Sequence, residues 1–235
     1  MRRITLLLLG LALCLPAADA SAGDLQIRLG PFFPRADTGA DNDLFRDVNE
    51  LFTRDASLEG VDSSDWIGVS GGAEYSFKLG AAPVELGFHV DGYGRTLETS
   101  YRDFTDDFGG EIFQTLKVTI VPTGATLRLV PGWRGSFQPY VGGGVDAVWY
   151  RYEEFGDFID FFDPGLAVSG DSFLDEGWAF GIHVVAGVRI PINYDFAITA
   201  EGRYLWAETE MGGDFRLNRI DLTGASVTLG LMVRF

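Results

Sequence analysis

The chain has 235 residues, of which 46% are hydrophobic and 14% aromatic, and its formal net charge is −16. This acidic balance argues against a nucleic-acid partner, because binding to phosphates requires a basic surface. The only cysteine is Cys14, so the rest of the chain offers no disulfide, no thiol nucleophile and no cysteine-based metal site. The length suits a single domain.

Residues 1–22 have the pattern of an export signal. Two arginines precede an apolar run over residues 4–15, which is too short to cross a membrane as a helix. Small residues then provide cleavage sites that end at Ala20 and Ala22. We therefore predict a cleaved signal peptide followed by one folded domain over residues 23–235.

Eight segments of the remaining chain alternate apolar residues with small, polar or charged ones. Because successive side chains of a strand point to opposite faces, each segment predicts a strand with one oily face. The segments cover residues 25–33, 67–79, 84–90, 116–129, 141–149, 180–190, 196–206 and 225–235. Their even number predicts an all-β fold, an eight-stranded antiparallel up-and-down transmembrane β-barrel.

The fourth segment changes its phase of alternation at Pro122. Leu116, Val118 and Ile120 are apolar on even positions, whereas Leu127 is apolar on an odd position. Proline lacks the N–H donor that a ladder requires and is tolerated at bulges. We predict a β-bulge at Pro122, with the apolar residues on both sides of it facing outward.

The connections between the segments alternate in length. Short turns are predicted at residues 80–83, 131–137 and 191–195, and long loops at residues 35–65, 98–111, 152–176 and 207–219. Transmembrane barrels of bacteria place such short turns in the periplasm and such long loops outside, and the long loops here carry much of the acid.

The first long loop contains a helical pattern. Its apolar residues are spaced for one face of a short helix, with Asn42 as the candidate N-cap. These residues are Leu44, Phe45, Val48, Leu51 and Phe52. A helix that caps the barrel mouth and ordinary loop packing remain equal alternatives.

The phase opposite to the oily face carries charges of both signs. Eight strands leave an interior just wide enough for side chains, and inward glycines leave room for the long ones. We predict an interlocked salt-bridge core that plugs the barrel, with a narrow polar or gated channel as the alternative. The predicted lumen charge network consists of Arg28, Glu74, Lys78, Glu85, His89, Asp91, Arg95, Arg128, Asp146, His183, Arg189, Glu201, Arg203 and Arg234.

Aromatic residues occur near both ends of the predicted strands, as expected for two membrane interfaces about 25 Å apart. A soluble barrel of the lipocalin type would instead carry charges on its outer face. The predicted interface aromatics are Trp149, Trp178, Tyr204 and Trp206 near long loops, and Phe77, Trp133, Tyr194, Phe196 and Phe235 near short turns or the C-terminus.

Catalytic and metal-binding patterns are weak. The chain has two histidines, His89 and His183, and alternation places both inward, away from the outer loops and the lipid-facing wall where a Ser–His or Asp–His pair could act. The acidic loops lack EF-hand spacing, and the triple glycine at residues 142–144 is not followed by the Lys-Ser/Thr of a phosphate loop. We predict no enzymatic activity, no cofactor and no metal site.

The chain ends on an aromatic residue after a complete oily face, with the sequence Val-Arg-Phe at residues 233–235. Together with the export signal, the strand at residues 25–30 and the Pro-Tyr-Val-Gly-Gly-Gly stretch at residues 139–144, this ending resembles the small Gram-negative outer-membrane barrels, the OmpW-like and OmpA-barrel-like porin families. The resemblance implies an outer-membrane location, contact with outer-membrane lipid and lipopolysaccharide, and recognition of Phe235 by the barrel-assembly machinery.

The resemblance also implies a choice of functions. One is a non-enzymatic structural or surface-interaction role, and the alternative is a narrow channel for small hydrophobic solutes, as in OmpW-like proteins. OmpW-like barrels have an apolar upper lumen, whereas charges such as Asp91, Asp146 and Arg203 are predicted inside this one. We expect a monomer without a nucleic-acid partner.

Overall fold

A computed structural model of the chain describes residues 23–36, 42–54, 60–106, 108–131 and 137–235. The described residues form ten strands, one α-helix and a 3₁₀ turn at Gly213–Phe215. The strands are β1 (Gly23–Pro34), β2 (Phe52–Thr53), β3 (Gly68–Lys78), β4 (Val84–Thr105), β5 (Glu111–Leu129), β6 (Gln138–Ile159), β7 (Val168–Pro191), β8 (Phe196–Glu210), β9 (Arg219–Asp221) and β10 (Gly224–Arg234), and the helix is α1 (Leu44–Leu51). The predicted signal peptide at residues 1–22 lies outside the described residues.

Eight of the strands form a closed antiparallel ring in the order β1-β3-β4-β5-β6-β7-β8-β10, and β10 returns to pair with β1. This confirms the predicted eight-stranded barrel. The short strands β2 and β9 pair with β4 and β8 at the rim. We call the rim that carries α1 the loop end, and the rim that carries the connections after β3, β5 and β7 the turn end.

The closure aligns the oily faces of neighbouring strands. Ile27 of β1 lies opposite Leu231 of β10, which in turn lies opposite Ile198 of β8. All three side chains are exposed on the outer wall of the isolated chain. Such a continuous exposed apolar belt requires a nonaqueous surrounding, and the hydrocarbon of a membrane provides one.

The predicted β-bulge at Pro122 is wrong. β5 pairs with β6 in one register from Gln114 to Leu129, with Pro122 opposite Val148, and its even-numbered residues face inward throughout. The β4–β5 ladder keeps the same register on both sides of residues 121–122 and omits the pairs there, which accommodates the missing proline donor without a slip.

The outward orientation predicted for the apolar residues in the first half of β5 is also wrong, because the strand continues without a change of phase. Leu116, Val118 and Ile120 are only 0%, 1% and 2% exposed and point into the barrel. Their apolar character reflects an apolar interior at this height. The change of phase in the sequence therefore marks a change in what fills the lumen.

Two of the predicted long loops are mostly strand. β4 and β5 extend to a connection at residues 106–110, and β6 and β7 extend to one at residues 160–167. Tyr152 and Asp175 are paired ladder residues within the predicted third loop. Strands that project beyond the membrane need no oily face, so their sequence lacks the alternation by which the spanning parts are recognised.

The first loop remains long and contains the helix α1. The N-cap is Asp43 rather than Asn42, because the Asp43 carboxylate accepts a hydrogen bond of 2.9 Å from the Phe45 N–H. Phe52, predicted as helical, begins β2. The helices in the described part of the chain are too short to cross a membrane.

The interior consists of two layers. The apolar layer fills the loop end and joins inward barrel residues to the buried face of α1, where the rings of Phe45 and Trp66 meet edge to face with centroids 5.0 Å apart. Its main members are Leu44, Phe45, Val48, Trp66, Tyr93, Leu97, Leu116, Val118, Ile120, Val148, Tyr150, Tyr152 and Leu205. The charged layer fills the turn end and is described next.

Candidate functional site

Six ionised side chains from five strands interlock at the centre of the charged layer. They are Arg28, Glu74, Asp91, Arg128, Glu201 and Arg203. Arg28 donates to Glu74 at 3.0 Å and to Asp91 at 2.6 Å, and it lies 3.3 Å from Glu201. The three guanidinium groups balance the three carboxylates, as buried charges require.

Arg128 and Arg203 complete this network from the other side of the lumen. Arg128 donates to both oxygens of Glu74 and, at 3.1 Å, to Glu201. Arg203 lies 3.3 Å from Glu74 and from Glu201. Each arginine thus contacts carboxylates from more than one strand, so the network connects opposite walls of the barrel.

A second set of charges lies between this network and the turn end. Arg189 and Glu85 form a bidentate pair with two bonds of 2.9 Å, and Asp24 lies 3.6 Å from Arg189. The ring of Tyr140 separates the two sets, with the Arg128 and Arg189 guanidinium carbons 5.2 and 5.4 Å from its centroid. The Tyr140 hydroxyl donates to Glu201 at 2.9 Å.

A buried histidine–aspartate–histidine cluster adjoins the network on its loop-end side. His89 Nε2 lies 2.8 Å from one Asp146 oxygen, and His183 Nδ1 lies 2.5 Å from the other. The Thr126 hydroxyl lies 2.9 Å from His183 Nε2 and 3.4 Å from His89 Nδ1. Arg203 Nη1 also lies 2.7 Å from His89 Nε2, so that nitrogen has two competing neighbours.

The contacts from Thr126 to His183 and from His183 to Asp146 have the connectivity of a hydroxyl–imidazole–carboxylate triad. A triad acts only where a substrate atom can reach its hydroxyl. Thr126 is fully buried, and its hydroxyl contacts both histidine rings. In this arrangement the three residues are part of the packed lumen.

The structure places the predicted charge residues in three ways. Eleven lie in the layer just described: Arg28, Glu74, Glu85, His89, Asp91, Arg128, Asp146, His183, Arg189, Glu201 and Arg203. Lys78 is exposed and Arg234 half-buried at the turn end, around a cleft of about 250 Å³ that also contains Asp24. Arg95 lies in the loop-end half, where it donates to the Asp65 carbonyl at 2.7 Å.

Several participants were missed from the sequence. Asp24, Thr126 and Tyr140 lie on the inward phase of their strands, and that phase is the signal that could have identified them. Alternation assigns a side chain to a face but gives no cross-strand register. The convergence of His89, Asp146 and Thr126 from three different strands was therefore not predictable.

None of the predicted interface aromatics that the structure describes is buried. Trp178 is 65% exposed and lies opposite the half-buried Trp149 in the β6–β7 ladder, and the rings of Tyr204 and Trp206 are 4.5 Å apart on β8. At the turn end the aromatics are Phe77, Tyr194, Phe196 and Phe235. Trp133 lies outside the described residues.

Two carboxylates of the first loop have shifted acidities. Burial raises the pKa of Asp47, and a hydrogen bond of 2.6 Å from the Asn218 amide opposes that rise. Hydrogen bonds from the Ser64 hydroxyl and N–H lower the pKa of Asp62. The Asp47–Asn218 contact fastens α1 to the segment that precedes β9.

Comparison with known proteins places the chain in a family. The sequence profile of the outer membrane protein beta-barrel domain matches residues 5–235, nearly the whole chain. No curated protein matches the chain.

Several solved structures are similar to the chain at low identity. Neisserial surface protein A (NspA) is 11% identical, with 92% of this chain and 98% of that chain covered and a TM-score of 0.49. OprG from Pseudomonas aeruginosa is 14% identical, with 92% and 97% covered and a TM-score of 0.48. The outer membrane protease OmpT from Escherichia coli is 11% identical, with 92% and 98% covered and a TM-score of 0.47.

The family match agrees with the geometry of the closed ring. The outer wall is apolar, the ionised side chains of the described residues 24–34 and 68–91 face the lumen or the turn-end rim, and no end of the eight-stranded ring is left unpaired. These are the properties by which strands cross a membrane. The chain therefore belongs to the outer membrane protein β-barrel domain family and is an integral protein of the outer membrane.

Proposed function

We propose that this protein is a closed, non-enzymatic barrel with a structural or surface-interaction role. The observation that carries the proposal is the network of Arg28, Arg128 and Arg203 with three carboxylates, which crosses the lumen from wall to wall. Ion conduction requires a continuous path of water. Buried charges that are already paired with one another leave no such path at this height.

The apolar layer supplies a second barrier. Inward residues such as Leu116 and Ile120 belong to the same buried apolar cluster as Phe45 of α1, and all three are buried. An ion that entered from the loop end would have to leave its hydration shell before it reached the charged layer. The two layers therefore block the lumen by different physical means.

The β6–β7 hairpin supports a surface-interaction role. It extends past Trp149 and Trp178 at the loop end to a connection at residues 160–167, where Phe162 is 97% exposed between Asp160 and Asp163. Acidic carboxylates beside lipopolysaccharide suit bridging by divalent cations. The proposed partners are lipopolysaccharide, outer-membrane lipid and, through Phe235, the barrel-assembly machinery. The proposed unit is a monomer.

A second candidate function is passage of small apolar solutes. The apolar layer supports it, because residues such as Tyr93, Leu97 and Val118 form a lining that suits such solutes. In the present packing α1 occupies this space, so the helix would have to move. Faster uptake of a labelled alkane by cells that carry the protein, abolished by Leu97→Arg, would favour this candidate.

Conductance of the refolded protein in a planar lipid bilayer tests the closed barrel. We expect the unmodified protein to give no stepwise ion current. Arg128→Ser should introduce current, because it leaves buried carboxylates that must be hydrated or protonated. Lys117→Ser is the matched control, since Lys117 is half exposed and pairs with Glu153 outside the lumen. Stepwise current through the unmodified protein would contradict the proposal.

A further inference from the structure

The cluster of His89, Asp146 and His183 has the composition of a metal site. Their ligand atoms, one from each residue, all lie within 4.8 Å of one another, and the three side chains are buried. Two imidazole nitrogens and a carboxylate oxygen are ligands that zinc and neighbouring divalent transition metals accept. We propose that this cluster binds one such ion in the barrel lumen.

Asp146 differs from the other carboxylates of the charged layer. Glu74, Asp91 and Glu201 each contact arginine, whereas the ion-pair partners of Asp146 among the described residues are the two histidines. With neutral imidazoles, the balanced network beside it leaves the Asp146 charge without a cation. A divalent ion held by the three side chains would supply one.

The hydrogen bonds around the rings fit ligation. A histidine that binds a metal through one nitrogen generally donates from the other, which fixes the ring orientation. Here the Thr126 hydroxyl oxygen lies 2.9 Å from His183 Nε2 and 3.4 Å from His89 Nδ1, the nitrogens that point away from Asp146. It can accept a hydrogen bond from both rings.

Binding requires a proton to move within His183 but none to leave it. The contacts of His183 fit a neutral imidazole that, without the ion, donates from Nδ1 to Asp146 and accepts at Nε2 from Thr126. With the ion, Nδ1 is the ligand and the proton is on Nε2, where it donates to Thr126. His89 likewise binds through Nε2 and holds its proton on Nδ1.

The ligand spacing also allows the ion to enter with small movements. Ligand atoms about 2.0–2.2 Å from a tetrahedral ion lie about 3.3 Å apart, whereas the histidine–aspartate distances are 2.5 and 2.8 Å. The rings contact different Asp146 oxygens, so each must separate from Asp146 by less than about 1 Å, and the two imidazole nitrogens, which lie within 4.8 Å of each other, must settle at the same separation of about 3.3 Å. Arg203 loses its contact with His89 when the ion binds. It keeps its ion pairs with Asp91 at 3.5 Å and with Glu74 at 3.3 Å.

Cobalt absorption spectroscopy tests the proposal with a readout that a structural hydrogen-bond cluster would not change. The metal-free protein is refolded into detergent with Co²⁺ present, so that the ion can reach the lumen before the barrel closes, and unbound ion is removed. We expect one Co²⁺ per chain and the strong visible bands of four- or five-coordinate cobalt. Zn²⁺ should remove these bands by competition.

Two variants and a control assign the signal. Asp146→Asn should lose the bands, and His183→Cys should keep the ion and add a thiolate-to-cobalt band in the near ultraviolet. Thr199→Ala is the control, because Thr199 is a buried lumen residue that contacts Gln26 and none of the three ligands. If Asp146→Asn does not fold, the unmodified protein and His183→Cys decide. The proposal is overturned if the refolded unmodified protein retains no Co²⁺, or only the weak bands of octahedral cobalt that loop carboxylates would give.

Discussion

At the scale of single residues, the barrel interior depends on charges that are buried only because they are paired. The Glu85–Arg189 pair shows this most simply, since it forms two bonds of 2.9 Å and both side chains are about 2% exposed. Removing one member of such a pair leaves a buried charge, whereas replacing both with apolar residues of similar size does not.

A double-mutant cycle at this pair checks that argument. Arg189→Leu should lower the free energy of unfolding by about 3–5 kcal/mol because Glu85 loses its partner. Glu85→Leu should cost less, since Asp24 remains 3.6 Å from Arg189. The double variant should be more stable than the sum of the two losses implies.

Urea unfolding of the proteins in detergent micelles measures these differences. The exposed Arg46–Glu50 pair of α1 is the control, and its removal should change stability by no more than about 1 kcal/mol. Losses at Glu85 and Arg189 no larger than this would show that the pair is not buried as described.

A glycine pair tests the packing around the histidine cluster. A Cβ at Gly144 would overlap the Ala125 carbonyl and lie 2.7 Å from His183 Cε1, whereas a Cβ at Gly202 would meet only the Ala186 carbonyl, at 3.9 Å. Gly144→Ala should therefore destabilise the barrel by about 1–3 kcal/mol, and Gly202→Ala should change its stability by about 0.5 kcal/mol or less. Equal unfolding midpoints for the two variants would contradict the described approach of His183 to β6.

The sequence identified which side chains enter the lumen better than it identified their partners. Alternation along β7 and β8 was sufficient to assign His183, Arg189 and Glu201 to the inward phase. Their contacts depend on the register between strands and on distances across the lumen. Neither the register nor the distances across the lumen can be deduced from the local sequence.

At the scale of elements, β5 shows where a local pattern misleads. The alternation predicts one oily face interrupted at Pro122, but the strand is continuous and its inward face changes from apolar to polar. A hydrophobic side chain on a barrel strand has two possible surroundings, the lipid and an apolar lumen. Periodicity cannot distinguish them without knowledge of what the loops place inside.

The helix α1 connects the first loop to the apolar layer, and its N-cap offers a test. Asp43→Ala removes the acceptor of the Phe45 N–H and should destabilise the helix by about 1 kcal/mol. We expect faster trypsin cleavage after Arg46 and Arg54 in the refolded protein, while the barrel remains inserted.

Glu50→Gln is the matched control for this substitution. It changes an exposed charge on the same helix without affecting the cap, so cleavage should be close to that of the unmodified protein. Identical cleavage rates for Asp43→Ala and Glu50→Gln would indicate that the Asp43 cap does not hold the helix in place.

At the scale of the whole molecule, one closed sheet separates the lipid from the lumen. The apolar side chains of the outer wall suit the lipid, and the charged side chains of the lumen do not. The outer wall is apolar because it faces lipid, and the turn-end lumen is charged because its arginines and carboxylates neutralise one another. At the loop end, the apolar layer includes the buried face of α1. In the closed barrel that we propose, this interior distinguishes the protein from a water-filled pore.

Tryptophan quenching tests this central claim most directly. Two variants each keep one of the five tryptophans, either Trp66, which is 0% exposed in the apolar layer, or Trp178, which is 65% exposed on the outer wall, and replace the others with phenylalanine. In vesicles with brominated acyl chains, we expect strong quenching of Trp178 and none of Trp66, and water-soluble acrylamide should also leave Trp66 unquenched. Quenching of Trp66 by acrylamide, or insensitivity of Trp178 to the brominated lipid, would contradict a sealed barrel that spans the membrane.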